Sequence, residues 1–127
     1  MQTSSVVIVD DEKLFCKTIE CVLSDAGCNT HAFNTPKSAL DFMTNNECDL
    51  MITDFKMPEM DGITLIAKAK EVSPCMRTVL ISAHLNQIDR DLAALVDVDL
   101  LLEKPVDLNQ LLALTKTLLA DSQFKPV

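Results

Sequence analysis

Five chemically capable residues stand at the ends of short aliphatic runs. Asp10 and Asp11 close VVIVDD, Asp54 closes LMITD, Ser82 closes VLIS and Lys104 closes LLEK. Three carboxylates gathered in a site of low dielectric repel one another, so a positive partner has to neutralise them. Magnesium or manganese suits that task, because a hard divalent ion takes oxygen ligands and keeps waters that a phosphoryl oxygen can replace. Lys104 adds a point positive charge, and the Ser82 hydroxyl can donate to a second phosphoryl oxygen. An ionised carboxylate is a competent nucleophile, and phosphoryl transfer asks mainly for in-line positioning and charge stabilisation. Taken singly, each residue has a plainer use: the Asp pair can cap a helix, and Ser82 and Lys104 are ordinary surface residues. Their shared place at strand ends makes them a set.

The elements that position this set alternate strictly. Ser5 to Val9, Cys28 to Phe33, Leu50 to Thr53, Thr78 to Ile81 and Leu100 to Leu102 read as five strands. Phe15, Ile19, Val22, Leu23 and Ala26 repeat at helical spacing before Gly27, a residue suited to a left-handed helix cap. Thr35-Pro36 supplies a cap and a first-position proline for a second helix carrying Ala39, Leu40 and Met43. A third helix spans Gly62 to Val72 and stops before Pro74, and a fourth spans Gln87 to Val96 with Ile88, Leu92 and Leu95 as its apolar stripe. Asp107 and Gln110 resemble a capping box opening a fifth helix that closes near Ala120. Strands apolar on nearly every residue favour a parallel sheet covered on both faces, a doubly wound α/β fold whose ligand site lies beyond the carboxyl ends of the strands.

Composition narrows the function classes. A chain of 127 residues with 48% apolar content closes one core, and a net charge of -8 argues against direct binding to nucleic acid. The five cysteines, Cys16, Cys21, Cys28, Cys48 and Cys75, lack a Cys-x-x-Cys pair, so reduced thiols are expected. No apolar run approaches a bilayer-spanning length and Met1 to Ser5 is short and polar, so a soluble cytoplasmic protein without membrane contact is expected. His31 and His84 read as plain surface or half-buried histidines, and Asp89, Arg90 and Asp91 as the solvated face of the fourth helix.

The fragments VVIVDDE, ITDFKMPEMDG, VLISAH and LLEKP, in this order and approximate spacing, resemble the response-regulator receiver domains of two-component signalling. The resemblance covers nearly the whole chain, and DFKMPEMDG is its most specific stretch. It implies a flavodoxin-like (βα)5 fold of strand order 2-1-3-4-5, with residues 1–120 as the receiver and Asp121 to Val127 as a polar tail or the start of a linker. It implies that Asp54 is the phosphoacceptor, that Asp11 ligates the metal directly and Asp10 indirectly, and that the backbone carbonyl of Lys56 completes the protein ligands. Lys104 resembles the phosphate-contacting lysine, Ser82 the switch hydroxyl, and Pro105 the proline that follows a cis peptide bond. Lys56 and His84, each two residues beyond a site residue, flank the pocket mouth in this family and influence how water reaches the acyl phosphate. The implied phosphodonor is a sensor histidine kinase or phosphotransfer protein. The implied output surface is the face of helix four, strand five and helix five, toward a downstream protein or fused effector domain, with a homodimer left open.

Two positions depart from the family pattern. Leu101 stands where an aromatic ring usually turns inward, in a chain without Trp or Tyr, and Asp97 stands where glycine is common. A pseudo-receiver acting purely as an interaction module would keep the fold without the pocket residues, all of which are present. A haloacid dehalogenase-type phosphohydrolase places a second Asp two residues after its nucleophile, and that position here is Lys56.

Overall fold

The computed structural model describes residues 3–121. Five strands, β1 (Ser5–Val9), β2 (Asn29–Phe33), β3 (Leu50–Asp54), β4 (Arg77–Ser82) and β5 (Leu100–Glu103), form one parallel sheet of order β2-β1-β3-β4-β5. The helices are α1 (Lys13–Asp25), α2 (Pro36–Met43), α3 (Gly62–Val72), α4 (Arg90–Leu95) and α5 (Leu108–Asp121). Side chains alternating along each strand feed two cores. Val7, Val9, Met51 and Leu80 pack with α2, α3 and α4, while Val6, Ile8, Ile52 and Ile81 pack with α1 and α5. Burial on both faces is why the strands read as continuous apolar runs, and the doubly wound expectation holds.

Local signals act as their chemistry dictates. Gly27 sits at φ +98, and the amides of Gly27 and Cys28 return to the carbonyls of Ser24 and Leu23, so a paired C-terminal cap stops α1. Thr35 accepts the Ser38 amide and Pro36 opens α2. Asp107 Oδ1 accepts the amides of Asn109 and Gln110 at the start of α5. All five cysteines are unpaired. Among the described residues no helix is long and apolar enough to cross a membrane. Helix α5 reaches Asp121, and the rest of the expected tail lies outside the described residues.

The fourth helix differs from the sequence expectation. It starts at Arg90, preceded by a 3-10 turn at Leu85–Gln87, because the Asp89 side chain accepts the Leu92 amide and caps the helix there. Asp89 is thus the cap as well as an exposed residue, and Arg90 and Asp91 are exposed beside it. Ile88 is buried in the connection, Ala93 carries the buried face, and Leu92 and Leu95 are exposed. In α1 the buried stripe is Cys16, Ile19 and Leu23, and Ala26 is an exposed cap residue.

Candidate functional site

Asp54 is the last residue of β3, in register with Ile81 of β4, so its carboxylate stands where the ladder ends. It adjoins the turn after β1, where the Glu12 amide binds Asp10 Oδ1, the Asp10 amide reaches the Phe33 carbonyl, and Asn34 Nδ2 holds the Asp10 carbonyl at 3.0 Å. Two strand ends therefore fix the acids from opposite sides. The ligand oxygens of Asp10, Asp11 and Asp54 all lie within 4.8 Å of one another. Oxygens bound to one magnesium ion stand roughly 3 to 4 Å apart, so the spacing and the all-oxygen donor set fit such an ion.

The position of α3 depends on Gly62. Its amide donates to the Phe55 carbonyl at 2.7 Å, and a Cβ there would run into the Asp54 carbonyl oxygen and Leu80 Cδ1. Only glycine lets this helix approach the back of the acceptor strand so closely. Asp61 caps the same helix by accepting the Thr64 amide.

Lys104 enters from β5. The Lys104–Pro105 peptide is cis, as expected, and the Lys104 amide donates to the Ser82 carbonyl at 2.9 Å. The ammonium lies 3.4 Å from Asp10, 3.5 Å from Asp54 and 3.6 Å from Glu12. Burial, then the charges of Asp10 and Asp11, push the Asp54 carboxyl up to about 6 against the opposing pull of Lys104. Burial also raises Asp10, against the Glu12 amide and Lys104. Burial pulls Lys104 down, but Asp10, Asp54 and Glu12 together hold it above its ordinary value. Three site carboxylates against one ammonium leave a negative excess that a divalent cation would cancel.

The family profile of the response regulator receiver domain matches residues 6–116. The chain belongs to this family. The DNA-binding transcriptional regulator NtrC of Klebsiella pneumoniae is 30% identical over 115 residues, covering 90% of this chain and 24% of NtrC. The autoinducer 1 sensor kinase/phosphatase LuxN of Vibrio campbellii is 31% identical over 110 residues, covering 87% of this chain and 13% of LuxN. The chain thus spans a quarter or less of the length of these two curated relatives. A receiver domain from Methanospirillum hungatei superposes with a TM-score of 0.93 over 98% of this chain and 100% of its own, at 22% identity, a likeness of fold. The family is one of signalling receiver domains of the two-component type.

The remaining receiver positions surround this centre. Ser82 is buried, and its Oγ accepts the His84 amide at 3.0 Å, leaving the hydroxyl proton free to donate. Lys56 and His84 are exposed in the loops that follow β3 and β4, and Pro105 is exposed after β5. Leu101 pairs in register with Leu80 and packs against the core on the α3 and α4 side. Asp97 adopts φ +67, the left-handed conformation for which glycine is common, and Lys70 Nζ binds its carbonyl at 3.0 Å. Neighbouring Asp99 binds Arg77 Nη1 at 3.0 Å and the Thr78 amide at 2.8 Å. Sequence reading missed Glu12, Phe15 and Asn34 as neighbours of the site. Glu12 adjoins the Asp pair, which is a usable signal, but Phe15 and Asn34 meet the site only through the crossover and β2.

Proposed function

We propose that the protein accepts a phosphoryl group on Asp54 and signals by a conformational change. The observation that carries this reading is the convergence of Asp10, Asp11 and Asp54 around the Lys104 ammonium at the carboxyl end of the sheet. Asp11, Asp54 and the Lys56 backbone carbonyl would ligate magnesium or manganese, with Asp10 acting indirectly. The ion supplies charge neutralisation for the carboxylates and for the transferring group. An Asp54 oxygen attacks the phosphorus of a phosphohistidine on a histidine kinase or phosphotransfer protein, an O–P bond forms, and the N–P bond breaks with release of the imidazole. Lys104 compensates charge on a phosphoryl oxygen, and Ser82 donates its hydroxyl proton to another. The chain thereby catalyses its own phosphorylation and, through water entering past Lys56 and His84, its dephosphorylation.

Movement of Ser82 toward Asp54 would reshape the face of α4, β5 and α5, toward a downstream protein, a fused effector domain or a second copy of this chain. With Leu101 in place of a ring, that movement is transmitted by the loop after β4 and by aliphatic repacking. The receiver unit is assigned to residues 1–120, with 121–127 as a tail or linker, and its setting to the cytoplasm. The decisive experiment incubates the chain with magnesium and acetyl phosphate and reads intact mass beside an Asp54→Asn variant. Phosphoryl addition to the wild type alone is expected. No addition, or equal addition to the variant, overturns the assignment.

A further inference from the structure

The Lys104 ammonium has a fourth neighbour that carries no charge: it lies 4.6 Å from the centroid of the Phe15 ring. This is within the range at which a cation is drawn to an aromatic face. Phe15 and Glu12 stand three residues apart at the start of α1, so one helix edge presents a carboxylate and a ring to the same ammonium. The ring and Lys104 together border an open apolar hollow that Thr18, Pro105, Val106 and Leu108 also line. A smaller side chain at position 15 would leave the lysine room to swing out of the site.

The other contacts of the Lys104 ammonium depend on charge. Its distances to Asp10, Asp54 and Glu12, 3.4 to 3.6 Å, are longer than a direct charged hydrogen bond, so the ammonium is shared rather than bound to one partner. A divalent cation among Asp10, Asp11 and Asp54 would compete for the same carboxylates and loosen that hold. Attraction to a ring face survives such neutralisation, because it comes from the ring quadrupole and not from a titrating or metal-binding group. We infer that Phe15 is a positioning residue for phosphoryl transfer, its ring face holding the Lys104 ammonium within reach of the acceptor when the carboxylates are occupied by metal. The inference rests on the proposed phosphorylation of Asp54.

The test replaces Phe15 by Leu, Tyr and Trp and, by site-specific incorporation, by ring-fluorinated phenylalanines that drain electron density from the face at nearly constant size. Asp54 phosphorylation by acetyl phosphate and magnesium is followed by intact mass. Phe15→Leu is expected to slow the reaction about three- to tenfold, the range set by ring–cation attraction. Tyr and Trp should restore the rate, and fluorination should lower it stepwise with the number of fluorines. A merely structural role would not produce that graded dependence, since the fluorinated rings fill the same space. An independent reading is the upfield ring-current shift of the Lys104 methylene protons beside the nitrogen, present in the wild type and lost in Phe15→Leu. A rate that is flat across the series, or the absence of that ring-current shift, overturns the inference while leaving Asp54 as acceptor. Absence of any phosphorylation in the wild type overturns the proposed function and this inference with it.

Discussion

Replacing Asp54 by Asn should stabilise the metal-free protein at neutral pH, although it removes the proposed acceptor. Asp54 is only 9% exposed, and its carboxyl rises from 3.8 to about 6, chiefly through burial and then through Asp10. A folded-state pKa above the unfolded value means that the native state holds more protons between these two values. Stability therefore falls as pH rises from about 4 through about 6, and the penalty is complete above that window. Two pKa units correspond to about 3 kcal/mol, an upper figure that already contains the opposing attraction of Lys104. Asn keeps the size and removes the charge, so the expected gain at pH 7.5 is ~1–3 kcal/mol, a rise of several degrees in Tm for a domain of this size. Urea denaturation of both proteins in a chelator, at pH 7.5 and at pH 4, measures it. The difference should shrink toward zero at the lower pH, and magnesium at pH 7.5 should stabilise the wild type more than the variant. Equal stabilities at pH 7.5 without metal, or a gain independent of pH, would refute the reasoning.

Three further perturbations probe the frame around the site. Asp11→Ala should weaken magnesium binding by at least about tenfold, since even an outer partner of a metal ligand commonly contributes that much, as titration by calorimetry would register. Gly62→Ala should destabilise the fold by about 2 kcal/mol or more in urea melts, because the added methyl meets the Asp54 carbonyl and Leu80, and it should slow phosphorylation by shifting the end of β3. Asp99→Ala should lower stability by about 3 kcal/mol in the same melts. That change strips the partner from Arg77 Nη1 and from the Thr78 amide, and Arg77 Nε is already buried without one.

The relation between sequence and structure varies from element to element. Helix α1 was legible to its last turn, because Gly27 supplies a positive φ that its neighbours would resist. Strand β3 carries Asp54 as its last paired residue, one beyond the apolar run, since backbone pairing with β4 continues past the last aliphatic side chain. Helix α4 was misread because Ile88, Leu92 and Leu95 happen to fall at helical spacing. The Asp89 cap starts the helix later and turns Leu92 and Leu95 outward, and apolar spacing carries no information about which side is covered. Asp97 stood out only as a departure from glycine. The ties that hold it, from Lys70 and Thr78, cross 27 and 19 residues.

By itself the sequence determined the alternation of strands and helices, the helix stops and caps, and the acids, hydroxyl and amine at the strand ends. These follow from local stereochemistry and from the periodicity of burial, which neighbouring residues carry. The tertiary structure alone decided which side chains share the Lys104 ammonium. The Asp10 contact joins residues 94 positions apart, and it arises because parallel crossovers set the carboxyl ends of β1, β3 and β5 along the same end of the sheet. It also decided the raised pKa of Asp54 and the ring face of Phe15 on the lysine. Desolvation and close approach are properties of the assembled strand ends and not of any one segment.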